Sequence, residues 1–598
     1  MNEVVIYDHT TFIIENPSKS SLTRTYKTVI LNKYAKGNNQ IELHYDDFRT
    51  IKNARVTLYN KLDKKIENYN LKDFDDWSEK SFSLASDNRS KYLDIKTNSF
   101  PYIIEVSYTI QYASSYYCPY WFPQSSEKQS VMSADLQLTA PKDQPIRYKC
   151  ANISPDSIIE DDTHFKYYWS LKNKKGFKYE KLTHYMDFMP VVFTSPSLFT
   201  LDGYQGNFET WESFGKWQWE LNKDRNTLTP DQFFTLKEAV STAKNKVDSI
   251  RAVYNYVQKN TRYVSIQLGI GGMQPFESGF VHEKKYGDCK ALTYYTQCLL
   301  QEIGIPSYYT LVGAGKNARM VIPDFPADYF NHIILTVPLD QDTIWLECTS
   351  QTNPFGNLGS FTGNRHALLI DENGGHLIKT KNYSINENIQ STSAKIYLES
   401  DGKGISQVKR NYQGMEIENN GYQWAMLESE AKQADWFIDR HSWGSIKLIK
   451  LQMKEISDNA IPEGGFIAEV EFQNLATTSG DRLFYKPFIF SNSLQLSLPN
   501  KERQTPINIR YPYSEIDSVE VVLPDFFYSE KEISDENMQT KFGSYSRRVL
   551  KNEDGYVFIR ELQINSGKYL PEDYNEFRKF VRSVRKYDND KLVIINRT

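Results

Sequence analysis

Tyr286-Gly287-Asp288-Cys289-Lys290, continuing as Ala291-Leu292-Thr293, marks a point where the chain enters a helix. Asp288 is a good N-cap residue, because its carboxylate can accept from an N–H group of the first turn. Behind it Leu292, Tyr295, Leu299 and Ile303 recur at helical spacing, and Gly304-Ile305-Pro306 stops the run. Cys289 therefore falls in the first turn. Strand-like runs come next, at 307–312, 331–338 and 343–349. Upstream, Thr229-Pro230-Asp231 opens one helix, and Val247, Ile250, Val253, Tyr254 and Val257 predict another over 245–260. Helices followed by an antiparallel sheet predict an α+β middle region, residues 226–385.

Outward from this region the period changes to two. Tyr102, Ile104, Val106, Tyr108 and Ile110 share one strand face, opposite Glu105, Ser107 and Thr109. Similar runs at 11–15, 26–32, 41–45 and 54–59, parted by turn-rich pieces such as Gly37-Asn38-Asn39, predict an N-terminal β-sandwich over 1–225. Beyond 385, Phe466, Ala468, Val470 and Phe472 alternate with Ile467, Glu469 and Glu471. One amphipathic helix is expected near 420–439, and another from Pro571 carries Tyr574, Phe577, Val581 and Val584. Residues 386–598 thus read as a β-sandwich-like domain with helices, and the whole chain as multidomain α+β. No internal repeat is visible.

Composition excludes several classes. The 71 basic and 75 acidic residues leave a net charge of −4 with no long basic run, so nucleic-acid binding is not expected. No apolar stretch approaches the 18 or more residues of a membrane span, and Met1-Asn2-Glu3 leads straight into strand-like sequence with no signal peptide in view. The five cysteines, Cys118, Cys150, Cys289, Cys298 and Cys348, are too sparse and odd in number for a disulfide framework. Without CxxC, paired histidines, a calcium loop or a phosphate loop, neither metal nor cofactor is expected. The 41 Tyr, 33 Phe and 10 Trp suit β-sandwich cores, or a peptide- or glycan-binding face.

Three pieces carry chemistry, in the order Cys, His, acid: Asp288-Cys289, Asn331-His332 and Trp345-Leu346-Glu347-Cys348-Thr349. A thiol attacks a carbonyl only as thiolate, so its pKa must fall from about 8.5. The helix N-terminus favours that anion, and its N–H groups can hold an oxyanion. Asp288 opposes the effect, so a proton acceptor is needed. His332 is the candidate, with Glu347 fixing its tautomer and orientation. If an even loop, Leu339-Asp340-Gln341-Asp342, joins the two strands, positions 332 and 347 share a face as opposite or diagonal neighbours; an odd loop would part them. Cys118, Cys150, Cys298 and Cys348 read as small buried hydrophobes.

These three motifs resemble the cysteine, histidine and acid motifs of bacterial transglutaminase-like proteins. Tyr256-Val257-Gln258-Lys259-Asn260-Thr261-Arg262-Tyr263 and Gln274-Pro275 resemble that family's lead-in to the cysteine, and Gly356 and Arg365 resemble its residues after the acid. Asp202-Gly203-Tyr204, Trp211 and Gly215-Lys216-Trp217 resemble the end of a β-domain of unknown function that precedes such modules in exported bacterial proteins, with a second β-domain on the far side. The resemblance implies a papain-like core with a Cys-His-Asp triad, Glu347 standing where Asp is usual. It also implies export to the periplasm or cell surface. Gln274 is then a candidate oxyanion donor, against a turn role before Pro275, and Arg365 a candidate carboxylate fork, against a packing contact. The expected activity is attack of Cys289 on a carboxamide or peptide carbonyl of a protein or peptide substrate. The resulting thioester is resolved by water or an amine. The rival expectation is a non-catalytic surface protein that binds peptide or glycan on the same scaffold. Oligomeric state is left open.

Overall fold

In the computed structural model, which describes residues 1–596 apart from 36–38, 79–82, 98, 442, 492–493, 495 and 497, the chain is multidomain and mostly β. Gly37 and Asn38 of the expected turn lie outside the described residues. Two compact units form. The first comprises Met1–Glu180, His184–Thr352 and Arg365–Thr380, so the N-terminal β-region and most of the middle region share one body. The second comprises Lys181–Thr183, Asn353–Asn364 and Lys381–Thr598.

In the first unit the alternating strand Tyr102–Tyr112 lies inside an eight-stranded sheet with Glu3–Asn16, Lys19–Ile30, Arg49–Tyr59 and Gln129–Pro141. All its ladders are antiparallel except Glu3–Asn16 with Gln129–Pro141. Ile104, Val106, Ile110 and Tyr112 face smaller sheets through two apolar clusters, one holding Ile41, Leu43 and Leu93, the other Ile146 and Val192. This is the layered β arrangement that period two anticipates.

The middle region builds on α1 (Trp211–Asn222), α2 (Lys246–Asn260) and α3 (Cys289–Glu302). Its sheet comprises β1 (Tyr308–Val312), β2 (His332–Pro338), β3 (Thr343–Leu346), β4 (His366–Asp371) and β5 (Gly374–Lys379). The strands lie in the order β3-β2-β1-β4-β5, antiparallel throughout. The expected strand 343–349 ends early, at Leu346.

Helix α1 departs from expectation, its stretch reading in sequence as the end of the N-terminal β-domain. Thr210 caps it, accepting from Ser213 N–H at 3.0 Å. Gly215 and the aromatic run blur the helical period, but Phe214, Trp217 and Leu221 are buried. Gly215 lets α1 meet β5 backbone to backbone: a Cβ there would stand 2.0 Å from Gly375 N. Helix α1 thus packs with the middle sheet, although it precedes the expected border at 225.

In the second unit Ile389–Leu398, Gly404–Gln413, Glu463–Phe472, Tyr513–Val522 and Gly555–Ile564 belong to another eight-stranded sheet. Phe466, Ala468, Val470 and Phe472 are buried and Ile467 and Glu469 exposed, as their alternation predicts. Helix α4 (Tyr574–Asp588) buries Tyr574, Phe577, Val581 and Val584. The helix expected near 420–439 is instead three pieces, Met415–Asn419, Tyr422–Ala425 and Glu430–Arg440, broken where Gly421 takes φ +66°. Among the described residues no helix is long and apolar enough to cross a membrane.

Gly215→Ala is expected to lower stability by about 1–3 kcal/mol, because the new methyl has only backbone to displace. Urea unfolding of the two proteins measures it, and equal midpoints would refute the close approach of α1 to β5.

Candidate active site

Cys289 opens α3 because Asp288 caps it, Oδ1 accepting from Ala291 N–H at 3.0 Å. The N–H groups of Cys289 and Lys290 stand in the first turn, where the helix offers no acceptor. Asp288 does not act alone. Its Oδ2 holds the Lys290 ammonium, and both side chains are buried. Burial lowers the Lys290 pKa, but the charges of Asp288 and Cys289 outweigh it and raise it. The carboxylate that would oppose a thiolate is thus neutralised by the next cation in the chain. Sequence reasoning places Asp288 correctly and misses Lys290, whose position immediately after Cys289 is the available signal.

Helix α3 lies against β2, Thr293 Oγ1 donating to the Ile333 carbonyl at 3.4 Å. This brings His332 into hydrogen-bond contact with Cys289. The Nε2 atom of His332 is 3.0 Å from Glu347 Oε1 and 2.9 Å from Oε2. Nδ1 is then the ring nitrogen left for the sulfur. The register Leu335↔Leu346, Thr336↔Trp345 continues to set 332 opposite 349, which makes 347 a diagonal neighbour on the same face. The loop is the even one, closed by Leu339 N–H to the Asp342 carbonyl at 2.8 Å. Thr349 holds the acid in turn, Oγ1 donating to Glu347 Oε1 at 2.6 Å. Tyr254 of α2 donates to the Glu347 carbonyl at 3.1 Å.

The site is closed. Cys289 is 6% exposed, His332 9% and Glu347 6%, so charges here meet few waters. Burial alone would lower the His332 pKa. The Glu347 charge and hydrogen bonds to Cys289 and Glu347 outweigh it and raise the pKa to about 10. Burial raises the Glu347 pKa, but the His332 charge and bonds from His332 and Thr349 hold it below the usual range. The two shifts together favour imidazolium and carboxylate in the pair. Burial pushes Cys298 and Cys348 up to about 12 and also raises Cys118 and Cys150.

The two further candidates have structural partners. Gln274 Nε2 donates to the Leu221 carbonyl at 3.0 Å, tying the segment before Cys289 to α1. The Arg365 guanidinium clasps the Gly313 and Gly315 carbonyls after β1, a packing role in place of the carboxylate fork. Tyr263 is a residue the sequence does not single out. A short parallel ladder sets it beside Gly287, two residues before the cysteine, and its ring is 39% exposed. Burial, then the charges of Cys289, Asp288 and Lys290, act on its phenol, which also hydrogen bonds with Ser265.

Cys289 belongs to an apolar cluster rich in aromatics that draws partly on the N-terminal region. Tyr116 shares its apolar cluster, with Phe48, Tyr117, Ile270 and Met273 against it. Ser265–Gln267 pairs in parallel with Ser83–Ser86, and Asp87 Oδ2 accepts from Gly269 N–H at 3.1 Å. No group of three or more His, Cys, Asp or Glu placed to hold a metal occurs among the described residues.

Two family models match parts of the chain, each described as a domain of unknown function with solved structure: DUF3857 over residues 17–178 and DUF3858 over 481–594. Neither span includes Cys289, His332 or Glu347. No curated protein matches. Among solved structures, a "putative protease" of Parabacteroides distasonis is similar at a TM-score of 0.63 and 13% identity, covering 99% of each chain. That likeness shows a shared fold along the whole length. A "putative cysteine protease" of Cytophaga hutchinsonii matches at a TM-score of 0.16 and 10% identity, over 56% of this chain and 78% of its own. An M1 zinc metallopeptidase of Deinococcus radiodurans matches at 0.17 and 6%, over 40% and 53%. Neither of these two carries an argument at such similarity.

Iodoacetamide is expected to label Cys289 near neutral pH and leave the other four cysteines unlabelled. Glu347→Gln removes the charge that raises His332, so the high-pH limit of the imidazolium moves to lower pH. Mass-resolved labelling across pH checks both, and an unmoved limb in the variant would refute the assigned pair.

Proposed function

We propose that this chain is a cysteine-dependent enzyme acting on peptide amides, with a transglutaminase-like, papain-like α+β core around Cys289, His332 and Glu347. One observation carries the reading: a cysteine at a capped helix N-terminus is hydrogen bonded to a histidine whose other nitrogen is held by a buried carboxylate. The protease-like description of the structure sharing its full-length fold agrees with it.

The chemistry derives from the groups present. In the reaction His332 takes the Cys289 proton, leaving a thiolate beside imidazolium, Lys290 and the helix dipole. Sulfur attacks the carbonyl carbon, the C=O electrons move onto oxygen, and the oxyanion is met by N–H groups of the first turn. Tyr263, paired with Gly287 two residues before the cysteine, is the side-chain donor in place of Gln274. His332 then protonates the leaving amine as the C–N bond breaks, giving a thioester. Water, deprotonated by His332, attacks the thioester and frees the acid and thiol; an amine in its place gives transfer. Glu347 keeps its proton-free form and holds the ring throughout. Export to the periplasm or cell surface belongs to this reading through the family resemblance alone.

A mixed peptide library incubated with the full chain, with and without an added primary amine, tests the proposal by mass spectrometry. Hydrolysed or amine-linked products are expected, and Cys289→Ala lowers their rate by about 10⁴-fold or more. Tyr263→Phe lowers kcat by about 10²-fold with KM little changed, as loss of one oxyanion donor does. Equal activity in the Cys289→Ala protein would end the Cys289-dependent reading, and no product from either protein would leave the peptide- or glycan-binding one.

A further inference from the structure

A pocket of about 180 Å³ lies between the 112–120 segment of the N-terminal region and the 319–328 segment leading into His332. Both segments belong to the same compact unit. The pocket shares an apolar cluster with Cys289. Tyr116 and Tyr117 line it and also pack in the cluster around Cys289, and Asp328 stands four residues before His332. Its volume equals about six waters at ~30 Å³ each, enough for one side chain and below the ~300 Å³ of a cofactor-sized site.

The walls are rich in donors. Arg49 is held by Asp46 at 2.6 Å. Arg319 stands exposed at the rim, Nη1 donating to the Asp328 carbonyl at 3.2 Å and its plane 4.8 Å from the Tyr120 ring centroid. No carboxylate lies within ion-pair distance of Arg319 among the described residues. The Tyr112 and Tyr117 hydroxyls make no hydrogen bond among the described residues. Nor does Ser195 Oγ, in a residue only 1% exposed. The one carboxylate in the wall, Asp328, already receives the Tyr116 hydroxyl. Burial biases it towards its neutral form, and Arg319 pulls the other way. Donors without acceptors, next to an unpaired guanidinium, call for an anionic acceptor from outside.

We infer that this pocket selects substrate, receiving an acidic side chain of the peptide with Arg319 as its charge partner and Tyr117 as a second donor. The inference rests on the peptide-amide reading above. The acidic residue is expected at one position relative to the scissile bond, because Tyr116 of the pocket belongs to the same apolar cluster as Cys289. The guanidinium fork suits a carboxylate better than a neutral amide. Arg319 is a specificity residue that does not touch the reacting atoms.

The test is to sequence cleavage products of a peptide library treated with the full chain and with Arg319→Glu. Wild type is expected to enrich Asp or Glu at one position, and Arg319→Glu to shift that position towards Lys or Arg. For a single acidic peptide, Arg319→Ala should raise KM about 10-fold with kcat within twofold, a split that a merely structural loss does not produce. Cleavage without acidic enrichment, or enrichment unchanged in Arg319→Glu, overturns the inference and leaves the enzyme reading intact. Neither cleaved nor amine-linked product from wild type in any arm overturns the enzyme reading, and this inference with it.

Discussion

The middle region is organised around one buried charge pair. An imidazolium and a carboxylate, each under a tenth exposed, survive inside a protein only if every remaining polar contact is made. Removing one partner of such a pair costs about 3–5 kcal/mol, because the other is left charged and dry. The surroundings show what that demands. The β2–β3 register brings Glu347 diagonally to His332, Thr349 closes the second face of the carboxylate, and Tyr254 ties its backbone to α2. A slip of one residue in the hairpin would turn every one of these groups to the other face.

The same constraint accounts for the acid's identity. Glu347 stands one residue beyond the end of β3 and diagonal to the histidine rather than directly opposite it. A diagonal neighbour is some 7–8 Å away at the backbone. The extra methylene of glutamate suits that reach, and both carboxylate oxygens meet Nε2 within 3.0 Å. The departure from the usual Asp thus leaves the orienting role in place.

How much can be read from sequence depends on whether a contact is local. Cys289 at a helix start is legible because Asp288 and the periodic Leu292, Tyr295 and Leu299 are neighbours in the chain. His332 with Glu347 is legible because a hairpin of countable loop length joins them. Alternation at 102–112 and 466–472 foretells strands for the same reason. What escapes is what depends on distant partners. Helix α1 exists because Gly215 fits against Gly375, a residue on the last strand of the sheet. Gln274 and Arg365 carry the right donors, but Leu221, Gly313 and Gly315 take them, and no local pattern announces that. The single helix expected near 420–439 is interrupted at 426–429, while Gly421, at its start, separates it from Met415–Asn419.

The aromatic excess has a place in this account. Sequence alone leaves it as sandwich core or binding face, and in the first unit many of these rings fill buried clusters. Tyr116 and Tyr117, on a segment fixed by Ser115 to the Pro17 and Leu198 carbonyls, wall the nucleophile from the N-terminal side. The strand Ser265–Gln267, which precedes the cysteine in the chain, completes its ladder with Ser83–Ser86 of the same region. On the proposed reading the reacting groups come from residues 289–347, and the cluster that holds Cys289 draws in part on residues 46–120. Changing those walls alters access to the sulfur without touching the charge pair. If the proposed reading holds, such a unit can change what it selects while its chemistry stays fixed, because the buried pair tolerates little variation and the surrounding loops tolerate more.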